Sequence, residues 1–282
     1  MSCFGGVFLY ASLESDTIFR FDSSGNRTVV ASGLSQPRGL AFGPDGSLYA
    51  AIAGNNTILK IDPSGTKTTF PSVVTGPRAL VFGPDGGLYV GGGTSNTIVR
   101  LSLTGGSSAL ISNSVANPRG LAFDSAGKLY AASSNDNTVT KIDIMGASVI
   151  FADSLDNLNR PYGIVFHPNG NLLVTNFSGL PQINAIAPDG TSVVFASNSA
   201  LNAPYGMAFD DTGNLFVATL GGATIEKFKA DGTYVGAFAS NVRVNPQTLG
   251  VTFLAFGPAV PEPGAVILFG VAGCVLFMRR SR

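Results

Sequence analysis

The stretch Gln36–Ala51, "QPRGLAFGPDGSLYAA", decides the fold, because it returns four times with its landmarks in place. The returns are "GPRALVFGPDGGLYVG" from Gly76, "NPRGLAFDSAGKLYAA" from Asn117, "RPYGIVFHPNGNLLVT" from Arg160 and "APYGMAFDDTGNLFVA" from Ala203. Their prolines are Pro37, Pro77, Pro118, Pro161 and Pro204, and a sixth, weaker start is read at Pro246 in "NPQTLGVTF". Successive intervals are 40, 41, 43, 43 and 42 residues. A fixed period of this length marks a repeat architecture in which each unit is one supersecondary element.

Each unit reads as four short strands. In the first, "GLAF" runs into a Pro-Asp-Gly turn, where glycine supplies the positive φ that the turn needs. "LYAA" follows, then the polar loop "AGNN" at Ala53–Asn56, a third strand "TILKID", the turn Pro63–Gly65, and a fourth strand "TKTTF". Short β-branched and aromatic runs between Gly, Pro and Asn turns are strand signals. No helical period is sustained before the C-terminal tail. Four strands per unit of about 42 residues is the arithmetic of a propeller blade. The N-terminal stretch Phe8–Val30 matches strands two to four of a unit but lacks a first strand, whereas the unit begun near Pro246 has a first strand and nothing after it. The two fragments complete one blade, which predicts an all-β, six-bladed β-propeller over residues 1–258 with its chain ends paired and no long edge exposed.

The repeat resembles the NHL family, whose units run Pro-x-Gly, apolar strand, Asp-Gly turn, Leu-Tyr-Val, Asn-rich loop and apolar strand. "PRGLAFGPDGSLYAAIAGNNTILKID" at Pro37–Asp62 follows that order, and the likeness extends from about Phe8 to Phe256. It implies the propeller fold and leaves function open, since propellers host many activities.

Residues 259–282 differ in kind. Pro261-Glu262-Pro263 precedes 15 uncharged residues, Gly264–Met278, and then Arg279, Arg280 and Arg282. The apolar run is short for a span, but snorkelling arginines extend it, and they form the flank that the positive-inside rule expects on the cytoplasmic side. The expectation is a C-terminal transmembrane helix with the propeller outside the cytoplasm. The three features in this order resemble the PEP-CTERM sorting signal of Gram-negative bacteria. That resemblance implies an exosortase-type processing enzyme as partner, anchoring in the inner membrane through the C-terminus before processing, and delivery to the cell surface or matrix, often beside exopolysaccharide. Such proteins carry a secretion leader. "MSCFGGVFLYAS" has no basic residue in front of its apolar stretch and aligns with strand material, so a leader is expected upstream of Met1.

Composition narrows the chemistry. Charged residues make up 12% of the chain, and outside residues 259–282 there are 14 bases against 16 acids with no basic run, which argues against a nucleic-acid partner. Cys3 and Cys274 stand near opposite ends and predict no disulfide. His167 is the single histidine and falls in the turn "FHPNG", in register with Gly43, Gly83, Asp124 and Asp210, so it reads as a turn residue. One histidine without paired cysteines excludes a zinc site of familiar spacing, and no Gly-x-Ser-x-Gly elbow accompanies it. Asp45, Asp85, Asp189 and Asp231 precede turn glycines, another local role. The positions after the second strand hold no acid in the five full units. That departs from the gluconolactonase-type propellers, which this fold resembles and which hold a divalent metal over the channel. No cofactor is expected, with a calcium ion held by Asn176 or turn carbonyls as the alternative.

The residue after each proline is the more informative set: Arg38, Arg78, Arg119, Tyr162, Tyr205 and, on the weak sixth start, Gln247. At the start of the innermost strand these side chains ring one mouth of the channel, beside the polar loops that carry Asn55, Asn56, Ser95, Asn96, Asn135, Asp136, Asn137 and Asn176. Arginine and tyrosine together suit an anionic or sugar-like ligand through bidentate hydrogen bonds and stacking. The competing expectation is that each arginine ties its blade to the next. The functional expectation is an exported, non-enzymatic binding or structural module, with exopolysaccharide or another surface protein as partner. The alternative is a propeller enzyme of the virginiamycin B lyase or gluconolactonase kind.

Overall fold

A computed structural model describes residues 8–13, 16–71, 74–103, 108–143, 145–243, 250–258, 266–269 and 275–278. They contain six four-stranded antiparallel sheets, five of them with their strands in sequence order from the axis outward. Blades 1 to 5 begin with the inner strands Pro37–Phe42, Pro77–Phe82, Pro118–Phe123, Pro161–Phe166 and Pro204–Phe209. Blade 6 is composite: Val251–Gly257 is its inner strand, followed outward by Phe8–Leu13, Ile18–Phe21 and Arg27–Ala31. Each inner strand packs against the next, and that of blade 6 packs against that of blade 1, so the ring is closed.

The closure pairs Phe8 with Gly257 and Leu13 with Val251, and the Tyr10 hydroxyl donates to the Pro258 carbonyl at 2.8 Å. This registers Val251, not Pro246, with the prolines of the other blades. The sixth start is therefore corrected from Pro246 to Val251, a spacing of 47 residues from Pro204. Thr252, not Gln247, takes the place of the arginines, while Pro246 and Gln247 lie outside the described residues. The sequence carried the signal, because "LAFGP" at Leu254–Pro258 repeats Leu40–Pro44 letter for letter. A proline in the wrong place outweighed it.

Three devices recur at the seams between blades. An aromatic residue of the second strand meets the inner-strand phenylalanine of the next blade edge-on, as in Tyr10–Phe42, Tyr49–Phe82, Tyr89–Phe123, Tyr130–Phe166 and Phe216–Phe256, at 4.9–5.2 Å. Such pairs contribute about 0.5–1.5 kcal/mol each beyond area burial. The loop asparagines Asn56, Asn96 and Asn137 adopt left-handed backbone and accept from the N–H of Gly76, Asn117 and Arg160 in the following blade at 2.7–2.8 Å. Finally, the position after the arginine or tyrosine is glycine in blades 1, 3, 4 and 5, because a Cβ there would strike the next inner strand: at Gly206 it would lie 2.7 Å from the Thr252 carbonyl oxygen. These three devices explain why the motif repeats residue for residue.

The tail departs from expectation. Val266–Phe269 and Val275–Met278 form a two-stranded antiparallel pair, and no helix among the described residues is long and apolar enough to cross a membrane. The two runs carry Val266, Ile267, Phe269, Val275 and Phe277, β-branched and aromatic residues that favour strands. Pro261, Glu262, Pro263, Arg279, Arg280, Arg282 and both cysteines lie outside the described residues.

Candidate functional site at the channel mouth

Each inner strand opens with a break in register just after its proline, between Pro37 and Leu40 in blade 1 and between Pro161 and Ile164 in blade 4, for example. A bulge leaves its extra residue outside the ladder and re-aims the side chain. Arg38, Arg78, Arg119, Tyr162 and Tyr205 occupy these breaks, and the structure draws them together at one end of the channel.

Arg119 is the centre of the arrangement. Its Nη1 donates to the Tyr205 hydroxyl at 2.8 Å, although the two residues stand two blades apart, and its guanidinium lies 4.6 Å from the centroid of the intervening Tyr162 ring. Tyr162 and Tyr205 meet edge-on at 4.6 Å and are 3% and 1% exposed. Phe177 stacks on Tyr162 at 4.5 Å, and Phe253 meets Tyr205 edge-on at 5.1 Å. The mouth is thus divided, with arginines on blades 1 to 3 and aromatic rings on blades 4 to 6.

The arginines share one field. Burial holds the guanidinium of Arg38 below its usual range; Tyr205 pulls it back up and Arg119 pushes it further down. For Arg78 burial again comes first, followed by repulsion from Arg119. Arg78 Nη1 reaches the Asn117 side-chain oxygen of the next blade at 3.3 Å, a long bond, so the inter-blade tie that sequence reasoning offered as the alternative is present there in weak form. The strong ties are made by Asn56, Asn96 and Asn137. Among the described residues the acid–base pairs are Lys60–Asp45 and Arg100–Asp85, both at the other end of the inner strands, and none involves Arg78, Arg119 or Arg160. The Nε atoms of Arg78 and Arg119 are buried and make no hydrogen bond among the described residues. Half-buried guanidinium groups without a carboxylate carry a desolvation cost that a bound anion would offset.

Arg160 was missed by the sequence reading. It precedes Pro161 with a φ of 52°, and this left-handed turn swings its side chain across the mouth. Nη2 donates to the Tyr162 hydroxyl at 2.9 Å and the guanidinium lies 5.1 Å from the Phe177 ring. Its place is held by Gln36, Gly76, Asn117 and Ala203 in the other full blades, so the repeat gave no cue.

Below the mouth lies a channel of about 370 Å³, walled by the inner strands and collared by Leu40, Leu80, Leu121, Ile164, Met207 and Leu254. His167 sits past the far end of an inner strand, with Nδ1 accepting from the Asn169 N–H at 3.1 Å and Nε2 2.9 Å from the Ala230 carbonyl oxygen, which makes it a turn residue that also bridges blades 4 and 5. Among the described residues no group of three or more His, Cys, Asp or Glu is placed to hold a metal ion. Asn176, offered above as a calcium ligand, spends its oxygen on the Asn159 N–H and its amide nitrogen on the Asn157 carbonyl.

Residues 5–227 match the virginiamycin B lyase family. No curated protein matches the chain in sequence. Among solved structures, a chain of a nidogen/laminin complex superposes with a TM-score of 0.76 at 17% identity, covering 89% of this chain and 98% of that one. A catalytically inactive histidine-to-alanine variant of virginiamycin B lyase from Staphylococcus aureus, with quinupristin, gives 0.66 at 15% identity over 90% and 92% of the two chains. A putative gluconolactonase gives 0.65 at 14% identity over 89% and 98%. At these identities the likeness is one of fold.

Proposed function

The chain belongs to the virginiamycin B lyase family, and we propose that it is an exported cell-surface propeller whose channel mouth binds an anionic, sugar-like ligand such as an acidic exopolysaccharide. The observation that carries this reading is the group of Arg78, Arg119 and Arg160 around Tyr162, with no carboxylate among the described residues paired to any of the three. Guanidinium forks match carboxylates bidentately, and aromatic faces accept the flat side of a ring. In this reading residues 259–282 deliver the protein: Pro261-Glu262-Pro263, the uncharged run and the terminal arginines are read by an exosortase-type enzyme after membrane insertion.

The deciding experiment is calorimetric titration of an acidic exopolysaccharide and its carboxyl-reduced form. Binding of the acidic polymer only, lost in the Arg38→Ala, Arg78→Ala, Arg119→Ala triple variant, is the expected result; equal binding by parent and triple variant overturns the reading.

Family membership favours a second reading, a lyase acting on a cyclic peptide of the quinupristin kind. His167 is committed to a turn at the far end from the mouth, and no other histidine exists to replace it. No turnover of quinupristin is expected. Turnover that disappears in His167→Ala would reverse the assignment.

A further inference from the structure

The connection from blade 3 to blade 4 and the loop between the second and third strands of blade 4 hold a second pocket beside the mouth. It has a volume of about 290 Å³ and is lined by Ser154, Asn157, Asn159, Asn176, Ser178 and Gln182, among others. Its floor is rigid: the Asn176 amide donates to the Asn157 carbonyl at 3.0 Å, and Gln182 donates to Asn184 at 3.0 Å. A short helical turn, Ser154–Asp156, builds the outer wall; at its N-terminal end the Asp153 carboxylate accepts from the Leu155 N–H and the Asp156 carboxylate accepts from the Asp153 N–H.

Two independent features mark this pocket as a binding subsite. First, Leu180 stands at its rim, 70% exposed, and Leu155, 90% exposed, lies on the short turn between the lining residues Ser154 and Asn157. The other large apolar residues that the described surface exposes lie on the outermost strands or, for Met145, on the turn between the two outer strands of blade 3; these two stand on loops at the mouth end. Second, the side chains of Asn157, Asn159, Ser154 and Ser178 line the pocket without a hydrogen bond of their own among the described residues. Free amides and hydroxyls between apolar walls suit a neutral sugar, whose hydroxyls need donors and acceptors and whose C–H face needs a hydrocarbon surface.

The pocket and the mouth share one strip of backbone. The Phe177 N–H donates to the Arg160 carbonyl at 3.1 Å, and the next residue pair, Ser178 and Asn159, already belongs to the pocket. Arg160 and Phe177 face the mouth, so a ligand that crosses this strip touches both sites.

We propose that the loop pocket is a subsite for the neutral sugar unit linked to the acidic unit held at the mouth, so that the protein recognises an acidic–neutral disaccharide step within a polysaccharide. This rests on the mouth reading above. The test is titration of the intact chain with glucuronate, cellobiouronate and cellobiose, using the parent and a Leu155→Ser, Leu180→Ser variant, whose exposed positions spare the fold. Cellobiouronate is expected to bind the parent about tenfold more tightly than glucuronate, the worth of one modest contact set. The variant should lose that gain while binding glucuronate unchanged. If glucuronate and cellobiouronate bind equally, or the gain survives in the variant, the subsite is refuted and the mouth stands. If neither acid binds, or cellobiose binds as well as cellobiouronate, the mouth reading falls first.

Discussion

Replacing Gly206 by alanine probes the closure of the ring at its most informative seam. Gly206 lies on the inner strand of blade 5, and a Cβ built there would come within 2.7 Å of the Thr252 carbonyl oxygen, 2.9 Å of the Phe253 Cα and 3.3 Å of the Leu254 N, against 3.4–4 Å for an ordinary contact. All three atoms are backbone of the C-terminal strand that closes the wheel, so no side-chain rotation relieves the overlap. Overpacking of this kind costs about 1–3 kcal/mol. Alanine also removes freedom from the unfolded chain, which returns about 0.4–1 kcal/mol. The net loss of about 1–2 kcal/mol converts to a fall in melting temperature of roughly 2–8 °C for a domain of this size. Differential scanning calorimetry of Gly206→Ala beside Gly39→Ala gives the comparison, since a Cβ on Gly39 would lie 2.5 Å from the Arg78 carbonyl oxygen across the seam of blades 1 and 2. The two variants should melt below the parent by similar amounts. Were Val251–Gly257 not seated against blade 5, Gly206→Ala would meet nothing and would raise stability; a higher melting temperature for Gly206→Ala alone refutes the closure. Blade 2 shows that the constraint is one of local volume: it carries Ala79 instead of glycine, and its cross-strand partner is Gly91, where the corresponding pair in blade 3 is Gly120 and Ala132.

Three further outcomes follow from the same geometry. His167→Asn should keep an acceptor for the Asn169 N–H and a donor for Ala230 and stay within about 0.5 kcal/mol of the parent in urea denaturation, whereas His167→Leu should lose about 1 kcal/mol. The Glu226 carboxylate accepts the Tyr234 hydroxyl at 2.7 Å and, with burial helping, pushes its pKa up to about 12; burial also raises Tyr89 and Tyr130, so spectrophotometric titration should find several late-ionising tyrosines, and Glu226→Gln should remove Tyr234 from that group. At Asp45 burial raises the carboxyl, but Lys60 and Ser47 outweigh it and hold it below its usual value, while the Asp45 hydrogen bond raises Lys60. Stability from the aspartate is present above its unfolded pKa and lost as pH falls through the folded one, and that from the lysine is present below its unfolded pKa and lost as pH rises through the folded one. Urea midpoints should therefore be flat around neutrality and fall on both the acid and the strongly alkaline side, with Lys60→Met removing part of each decline.

The ring was legible in the sequence because the features that build it must recur. A tyrosine that packs on the next blade's phenylalanine, an asparagine that latches the next blade and a glycine that admits the next strand each repeat at one position, so alignment exposes them. The boundary of the last blade was misread because Val251 replaces proline there and a proline five residues earlier drew the alignment toward itself. The site was half legible. Arg38, Arg78, Arg119, Tyr162 and Tyr205 share one register position and were found together. Arg160, Phe177, Leu155 and Leu180 were not, because each occupies a position whose counterparts in other blades have a different character. Periodicity cannot report what does not repeat.

That asymmetry bears on what the protein does. If the mouth residues served the ring alone, six equivalent seams would favour one residue type at the position after the proline, as they favour glycine at the position after that. Instead the aromatic seam contact recurs five times and the glycine in four blades, while the mouth changes from arginine on blades 1 to 3 to tyrosine on blades 4 and 5 and threonine on blade 6. Around the same blade 3–4 junction the chain adds Arg160, the capped turn Ser154–Asp156 and two exposed leucines, none of which the closure of the wheel requires. Residues that break a repeat without serving its packing are held by something outside the repeat. A ligand that is acidic at one end, ring-shaped along its length and neutral at the next unit accounts for the arginine side, the aromatic side and the loop pocket together, whereas an inorganic anion accounts for the arginines only.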